Sequence, residues 1–329
     1  MPSFQPDYSD VRGFNYHSSV ASTGLENWLR FDAALWEREL TQGKAYFPKF
    51  NLVRYWLSWD AYFRDPAAFK ANFETALTIA DQLDLKVIPC LLNRWHDIFG
   101  LDYGGVYLDN IIVPSSWAYY RPLYRDYVTD IVGSHQGDRR VEIWDLCNEP
   151  WSYSDLDDFT KPLVPLELEW LQELYATAKA ADPAAKVSVS THNGHDLADL
   201  TWVEPISDVM LVHPYFICNP DQIWDQALRD RFVQDVEYMV DFGRKVGKPV
   251  LVTETCWGAL KDSDRVDILR FTLDTLAAHN LGFMAWVLHS TPVADAHAPD
   301  VAVLGRGNNC AFTTSDGALR PGHDIFNQY

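Results

Sequence analysis

VEIWDLCNEP, residues 141–150, is an apolar run that ends on Asn148 and Glu149. Within it Val141 to Leu146 is nearly continuous in apolar character instead of alternating, as expected of a parallel strand buried on both faces. Seven more runs of this kind flank it: Val11 to Tyr16, Asn51 to Trp56, Lys86 to Leu92, Lys186 to Ser190, Asp208 to Val212, Pro249 to Thr253 and Gly282 to Leu288. Each strand-like run predicts one stave of a sheet, and the count is eight.

Helical patterns separate the runs: Trp28 to Leu40, Pro66 to Leu83, Tyr119 to Ser134, Pro165 to Ala181, Trp224 to Val246, Ser263 to His279 and Pro321 to Gln328. Asp196 to Ile206 is too short for more than a turn or two. Asp65-Pro66 opens one helix, Ser263 caps another, and Asp182-Pro183 and Gly247 close others. Eight strands alternating with about eight helices predict an α/β chain folded as a (β/α)8 TIM barrel, one catalytic domain over residues 1–329. No G-x-G-x-x-G or G-x-x-x-x-G-K-[ST] follows any strand, which removes the dinucleotide and P-loop readings of an open sheet.

Composition narrows the partners. The net charge of −19 repels phosphate backbones and anionic lipid, so neither nucleic acid nor a membrane surface is expected, and a neutral substrate suits the chain. Aromatic residues make up 14%, which serves a large core and also suits ligands with apolar faces, sugars above all. Five scattered cysteines with no C-x-x-C pair read as reduced, mostly buried thiols. MPSFQPDYSD has no basic segment followed by an apolar run, so a cytoplasmic location is expected, or a secreted one if a signal has been removed. The oligomeric state is left open.

In a barrel, chemistry gathers beyond the C-terminal ends of the strands. Glu149 stands after the fourth strand and Glu254, in Thr253-Glu254-Thr255, after the seventh. Buried carboxyls are costly unless paired or used. Two of them across a cleft are what glycosidic cleavage needs, one protonating the leaving oxygen and the other attacking the anomeric carbon or activating water.

IWDLCNEP and VLVTETCWG resemble the acid/base and nucleophile motifs of clan A glycoside hydrolases, the retaining barrel glycosidases. Arg54 in NLVRY, His213 and Tyr215 in HPY and Trp286 in FMAWV extend the similarity to glycoside hydrolase family 5, across residues 11 to 290. The resemblance implies Glu149 as general acid and then base, Asn148 on the sugar 2-OH, and Glu254 as nucleophile kept ionised by Arg54 and Tyr215. It also implies His213 in the substrate site and Trp286 as the floor under the cleaved sugar. No cofactor is needed. The family carries a histidine at the third strand end where this chain has Leu92, so Asn93 or His96 is expected to take that contact. His17 is open between a sugar contact and a structural role.

The expected activity is hydrolysis of β-linked neutral oligosaccharides or β-glycosides, with exo action favoured. A transglycosidase shares that chemistry. A metal-dependent hydrolase using His96, Asp97, His192, His195, Asp196 or His213 is a rival; a non-catalytic carbohydrate-binding barrel would be marked by loss of a glutamate, and both are present. Thr191 to Asp196 reads as a polar loop. Residues Asp97 to Ala118, with Phe99, Tyr103, Tyr107 and Trp117, and Thr291 to Asn309 are expected as long rim loops that set substrate length. Trp151, Tyr153, Phe216 and Trp257 are candidate sugar platforms.

Overall fold

The computed structural model describes residues 2–21, 23–95, 105–152, 158, 160–192, 197–291 and 309–329. Its centre is a closed barrel of eight parallel strands in sequence order, each hydrogen-bonded to the next and the eighth to the first. The strands are β1 (Arg12–Tyr16), β2 (Leu52–Trp56), β3 (Lys86–Asn93), β4 (Trp144–Asn148), β5 (Val187–Thr191), β6 (Met210–Val212), β7 (Val250–Val252) and β8 (Phe283–Ala285). All eight apolar runs therefore became staves.

Around them lie α1 (Gly24–Leu29), α2 (Ala33–Tyr46), α3 (Trp59–Arg64), α4 (Pro66–Gln82), α5 (Asp109–Ile112), α6 (Pro114–Ser134), α7 (Val164–Ala181), α8 (Ala198–Val203), α9 (Gln226–Val246) and α10 (Asp262–Ala278). Local chemistry explains most of their ends. The expected helix over Trp28 to Leu40 is two, because the Asp32 carboxylate accepts from the Ala34 and Leu35 N–H groups and starts α2 afresh. Asp65 caps α4 with Pro66 in its first turn, and Gly247 ends α9 with φ of 73°. Ser263 does not cap α10: Lys261 holds that position, which puts Ser263 inside the first turn, where its hydroxyl reaches Asp264. The C-terminal stretch is a 3-10 helix, His323–Gln328. Residues 109–118 are α5 and the start of α6, so the expected loop after β3 is shorter than its sequence suggests.

Three apolar clusters hold the described residues, the smallest of them around Trp56 and Trp286. Inside the barrel floor, Leu52, Ile88, Ile143, Val209, Leu211, Leu251 and Met284 close the lower end. Outside, the strands pack on helices through rings such as Phe14, Phe47, Phe50, Phe312 and Phe326, and Trp28, Trp36 and Tyr55. Each such side chain buried contributes roughly 1.5–3 kcal/mol before chain entropy is set against it. Trp28, Trp36, Trp144, Trp151 and Trp170 are all fully buried, so much of the aromatic excess belongs to the core. The approach of the N-terminal turn to β8 requires glycine: a Cβ on Gly282 would lie 1.8 Å from the Tyr8 carbonyl oxygen.

β4 departs most from its expected span. Val141 makes only an isolated bridge to Val87, and the strand begins three residues later. Glu142, in between, turns to the barrel bottom and is held by Lys86 and Lys186 and by the Tyr8 hydroxyl. At its other end the pairing with β5 slips: Asp145 faces Ser188 and Asn148 faces Ser190, three residues against two. Such a bulge re-aims side chains. Here both the Asp145 and the Asn148 side chain reach Arg54 on β2, although they are an odd number of residues apart.

Candidate active site

Arg54 lies in the barrel interior with no exposed surface and organises the site. Its Nε and Nη2 donate to Asp145 Oδ2 at 3.0 and 2.8 Å, and Nη2 also donates to Asn148 Oδ1 at 2.8 Å and Ser190 Oγ at 3.1 Å. Nη1 donates to Asn15 Oδ1 at 2.9 Å and to Glu254 Oε1. The Tyr215 hydroxyl donates to the other Glu254 oxygen at 2.8 Å. Charge-assisted bonds of this kind fix a carboxylate's orientation as well as its charge.

Glu149 is held differently. Its backbone is in the left-handed region, φ 47°, an uncommon conformation for a residue with a Cβ. The surroundings impose it: Glu149 N–H donates to the Ser190 carbonyl at 3.0 Å, Ser152 Oγ donates to the Glu149 carbonyl at 2.6 Å, and Arg94 N–H donates to the Asn148 carbonyl at 2.9 Å. His213 Nδ1 lies 2.6 Å from Glu149 Oε1, and its Nε2 lies 3.0 Å from Thr253 Oγ1. Burial, and after it the nearby Arg54 charge, pushes His213 well below the ordinary imidazole range, so it stays neutral. Among the described residues, His213 engages Oε1.

The two carboxyls differ in proton affinity for stated reasons. Glu149 is raised to about 8, first by burial and then by the charge of Glu254. Glu254 is also raised by burial, but Arg54 and the Tyr215 hydrogen bond pull it back down. Arg54 thus does not bring Glu254 below its ordinary value, because desolvation outweighs it. Of the two, Glu149 is pushed further toward its protonated form. One oxygen of each glutamate and a ring nitrogen of His213 all lie within 4.8 Å of one another.

Asn148 gives its Nδ2–H to Asn93 Oδ1 at 3.0 Å, and the Asn93 amide is tied to Trp95 through both its atoms. Asn93 therefore supports Asn148 from the third strand end. Trp286 follows β8, is 8% exposed, and lies 5.3 Å from the Trp56 ring centre. His17 packs edge-on against both indoles, and among the described residues neither of its ring nitrogens has a hydrogen-bond partner. Trp151 and Phe216 are buried in the core, so neither serves as a sugar platform. Trp257 is partly exposed, edge-on to Tyr215 at 5.3 Å, and keeps that possibility. His96, Asp97, Phe99, Tyr103, Tyr153, His195, Asp196 and nearly all of 291–309 lie outside the described residues. Thr191 is the last residue of β5, and His192 sits 3.7 Å from Asp199, so part of the expected polar loop is strand and ion pair.

Sequence reading passed over Asp145 and Ser190. Asp145 carried a signal, since a charge inside an apolar run demands a buried partner.

Glu149, His213 and Glu254 have ligand-type atoms close enough for a metal ion. Their existing bonds oppose it: both His213 nitrogens are engaged, and the Arg54 guanidinium stands against Glu254. The donor set fits proton transfer better than a cation.

No family model matches the chain, and no curated protein does. Solved structures do. An exo-beta-1,4-mannosidase from Opitutaceae bacterium strain TAV5 is similar with a TM-score of 0.73 and 18% identity over 96% of this chain; the chain spans only 58% of that protein. An endo-1,4-beta-D-mannanase from Thermotoga petrophila RKU-1 is similar at 0.60 and 16% identity over 96% of this chain and 99% of that one. A beta-glucuronidase from Ruminococcus gnavus is similar at 0.68 and 13% identity over 97% of this chain and 51% of that one. The barrel of this chain is the fold those glycoside hydrolases share.

Proposed function

We propose that the protein is a retaining glycoside hydrolase that cleaves neutral β-glycosides, β-mannosides and β-1,4-linked manno-oligosaccharides first among them. The observation that carries the proposal is the pair Glu149 and Glu254, with oxygens within 4.8 Å of each other and unlike surroundings. Retention needs carboxyl groups about 5–5.5 Å apart, whereas inversion leaves room for water at about 6.5–9.5 Å. Glu254, held by Arg54 and Tyr215, attacks the anomeric carbon and forms a glycosyl ester. Glu149 gives its proton to the leaving oxygen, and then takes one from the water that breaks the ester.

The choice of a neutral sugar rests on charge. A uronide carboxylate asks for a cation, and Arg54 is already spent on Asp145 and Glu254. Mannosyl substrates come first because two of the similar structures are named for beta-1,4-mannosyl cleavage.

Proton NMR of the first product from an aryl β-mannoside tests the mechanism. The β anomer is expected first and the α anomer only after mutarotation; α first would overturn it. Turnover is expected to survive dialysis against EDTA, since both steps are assigned to carboxyls. A loss restored by zinc would replace this reading with a metal-dependent one.

A further inference from the structure

Arg54 is one cation between two carboxylates. Its Nε–Nη2 edge is taken by Asp145, and Nη1 is left for Glu254 and Asn15. Asp145 is itself fixed: it has no exposed surface, and its second oxygen accepts from the Ser190 N–H at 3.1 Å. It makes no bond to either glutamate. Its place under Arg54 follows from the β4 bulge, which lets Asn148 share the same guanidinium.

We propose that Asp145 is a positioning residue that aims Arg54 at Glu254 and takes up part of its charge, so that Glu254 remains a free nucleophile and not one half of a closed ion pair. The proposal rests on the reading of Glu254 as the nucleophile. Its physical basis is counting: Asp145, Arg54 and ionised Glu254 together carry one net negative charge in a buried place. The charge left over resides on Glu254. Were Asp145 neutral, Arg54 would serve Glu254 alone, and the carboxylate would be more stable and less reactive.

Glu254 is faced by Arg54 from β2, the Cys90 thiol from β3, Asp145 and Glu149 from β4 and its end, and His213 and Tyr215 from beyond β6. His213 is neutral, and the Cys90 thiol and Tyr215 phenol are both pushed well up by burial, so they too stay uncharged. Among the described residues, the charges that bear on Glu254 are then Arg54, Asp145 and, when it loses its proton, Glu149. The charge on Asp145 raises Glu254, against the pull of Arg54.

The test compares Asp145→Asn, which removes the charge, with Asp145→Glu, which keeps it. Two readouts are taken: the acid limb of kcat/KM against pH on an aryl β-mannoside, and the titration of the Glu254 carboxyl by carbon-13 NMR in a Glu149→Gln background. In the Asn variant both midpoints are expected to fall by about one pH unit, a tenfold change in ionisation constant, with a lower kcat. In the Glu variant both are expected at the wild-type position. Should Asp145→Asn not fold, Asp145→Ser carries the same expectation. Loss of rate with both midpoints unmoved would reduce Asp145 to a packing role and overturn the proposal. If the wild-type protein cleaves no glycoside, the functional reading fails, and the NMR midpoint still decides the coupling.

Discussion

The ends of β4 and β7 each deliver a buried glutamate to one cleft, yet they treat it in opposite ways. At β7, Glu254 meets a guanidinium and a phenol that both favour its anion. At β4, Glu149 meets a neutral imidazole and a neighbouring carboxylate, and among the described residues nothing bonded to it is charged in its favour. Residue type is the same and burial is the same. What separates the proposed acid from the proposed nucleophile is which strand end supplies the partners: β2 sends its arginine toward β7, and the end of β6 sends its histidine toward β4. Two carboxyls with proton affinities driven apart is the general arrangement for acid and base work in one site.

The largest expected effects come from removing either member of the pair. Glu254→Ala and Glu149→Ala should each lower kcat/KM on an unactivated mannoside by about 10⁴-fold, the scale on which single members of a catalytic unit fail. They should fail differently. With an activated aryl β-mannoside and azide, Glu254→Ala is expected to yield the α-glycosyl azide, because azide takes the vacated face. Glu149→Ala is expected to yield the β-glycosyl azide from the covalent intermediate. The reverse pairing would exchange the two roles.

The pH dependence of stability is expected to be smaller but still measurable. Glu149 holds its proton more tightly folded than unfolded, so the native state binds more protons between the two midpoints. Stability contributed by that proton is present at pH 5 and is lost as pH rises through about 8. The change amounts to a few kcal/mol at most, on the order of the shift times about 1.4 kcal/mol per unit. Thermal melts at pH 5, 7 and 9 should show the decline, and Glu149→Gln should flatten it. A parallel decline in that variant would assign the effect elsewhere.

The smallest effect sharpens the contrast between buried and exposed charge. Arg244 and Asp241 also form an ion pair, at 2.6 Å, but both are more than 70% exposed. Arg244→Ala is expected to change stability by less than about 0.5 kcal/mol by urea titration. Arg54→Lys, which breaks a forked donor set at a buried site, is expected to cost far more in the same assay. Equal losses would mean that the Arg54 network contributes little to the fold.

How far these features were legible in the sequence follows from where each partner lies. The staves could be read because a strand buried on both faces is apolar throughout, whatever its neighbours. Glu149 and Glu254 stood out as carboxyls ending such runs, and Arg54, Asn148, His213 and Tyr215 were marked by the resemblance to family 5 motifs. Asp145 was harder: its partner lies 91 residues earlier, on a strand that is not its immediate neighbour, and only the closed barrel with its bulge joins them. Trp151 and Phe216 sit just after the strands that precede Glu149 and His213, as platform residues would. Their burial is decided by the helices packed over them, which no local pattern records.

With Glu254 proposed as the nucleophile, trapping the glycosyl-enzyme intermediate reads the attacking residue directly. Incubation with a 2-deoxy-2-fluoro-β-mannosyl donor bearing a good leaving group, followed by proteolysis and mass spectrometry, locates the ester. The label is expected on the peptide holding Glu254, and to be absent from Glu254→Ala. A label on Glu149, or steady turnover of the donor with no covalent adduct at any point, would contradict the account.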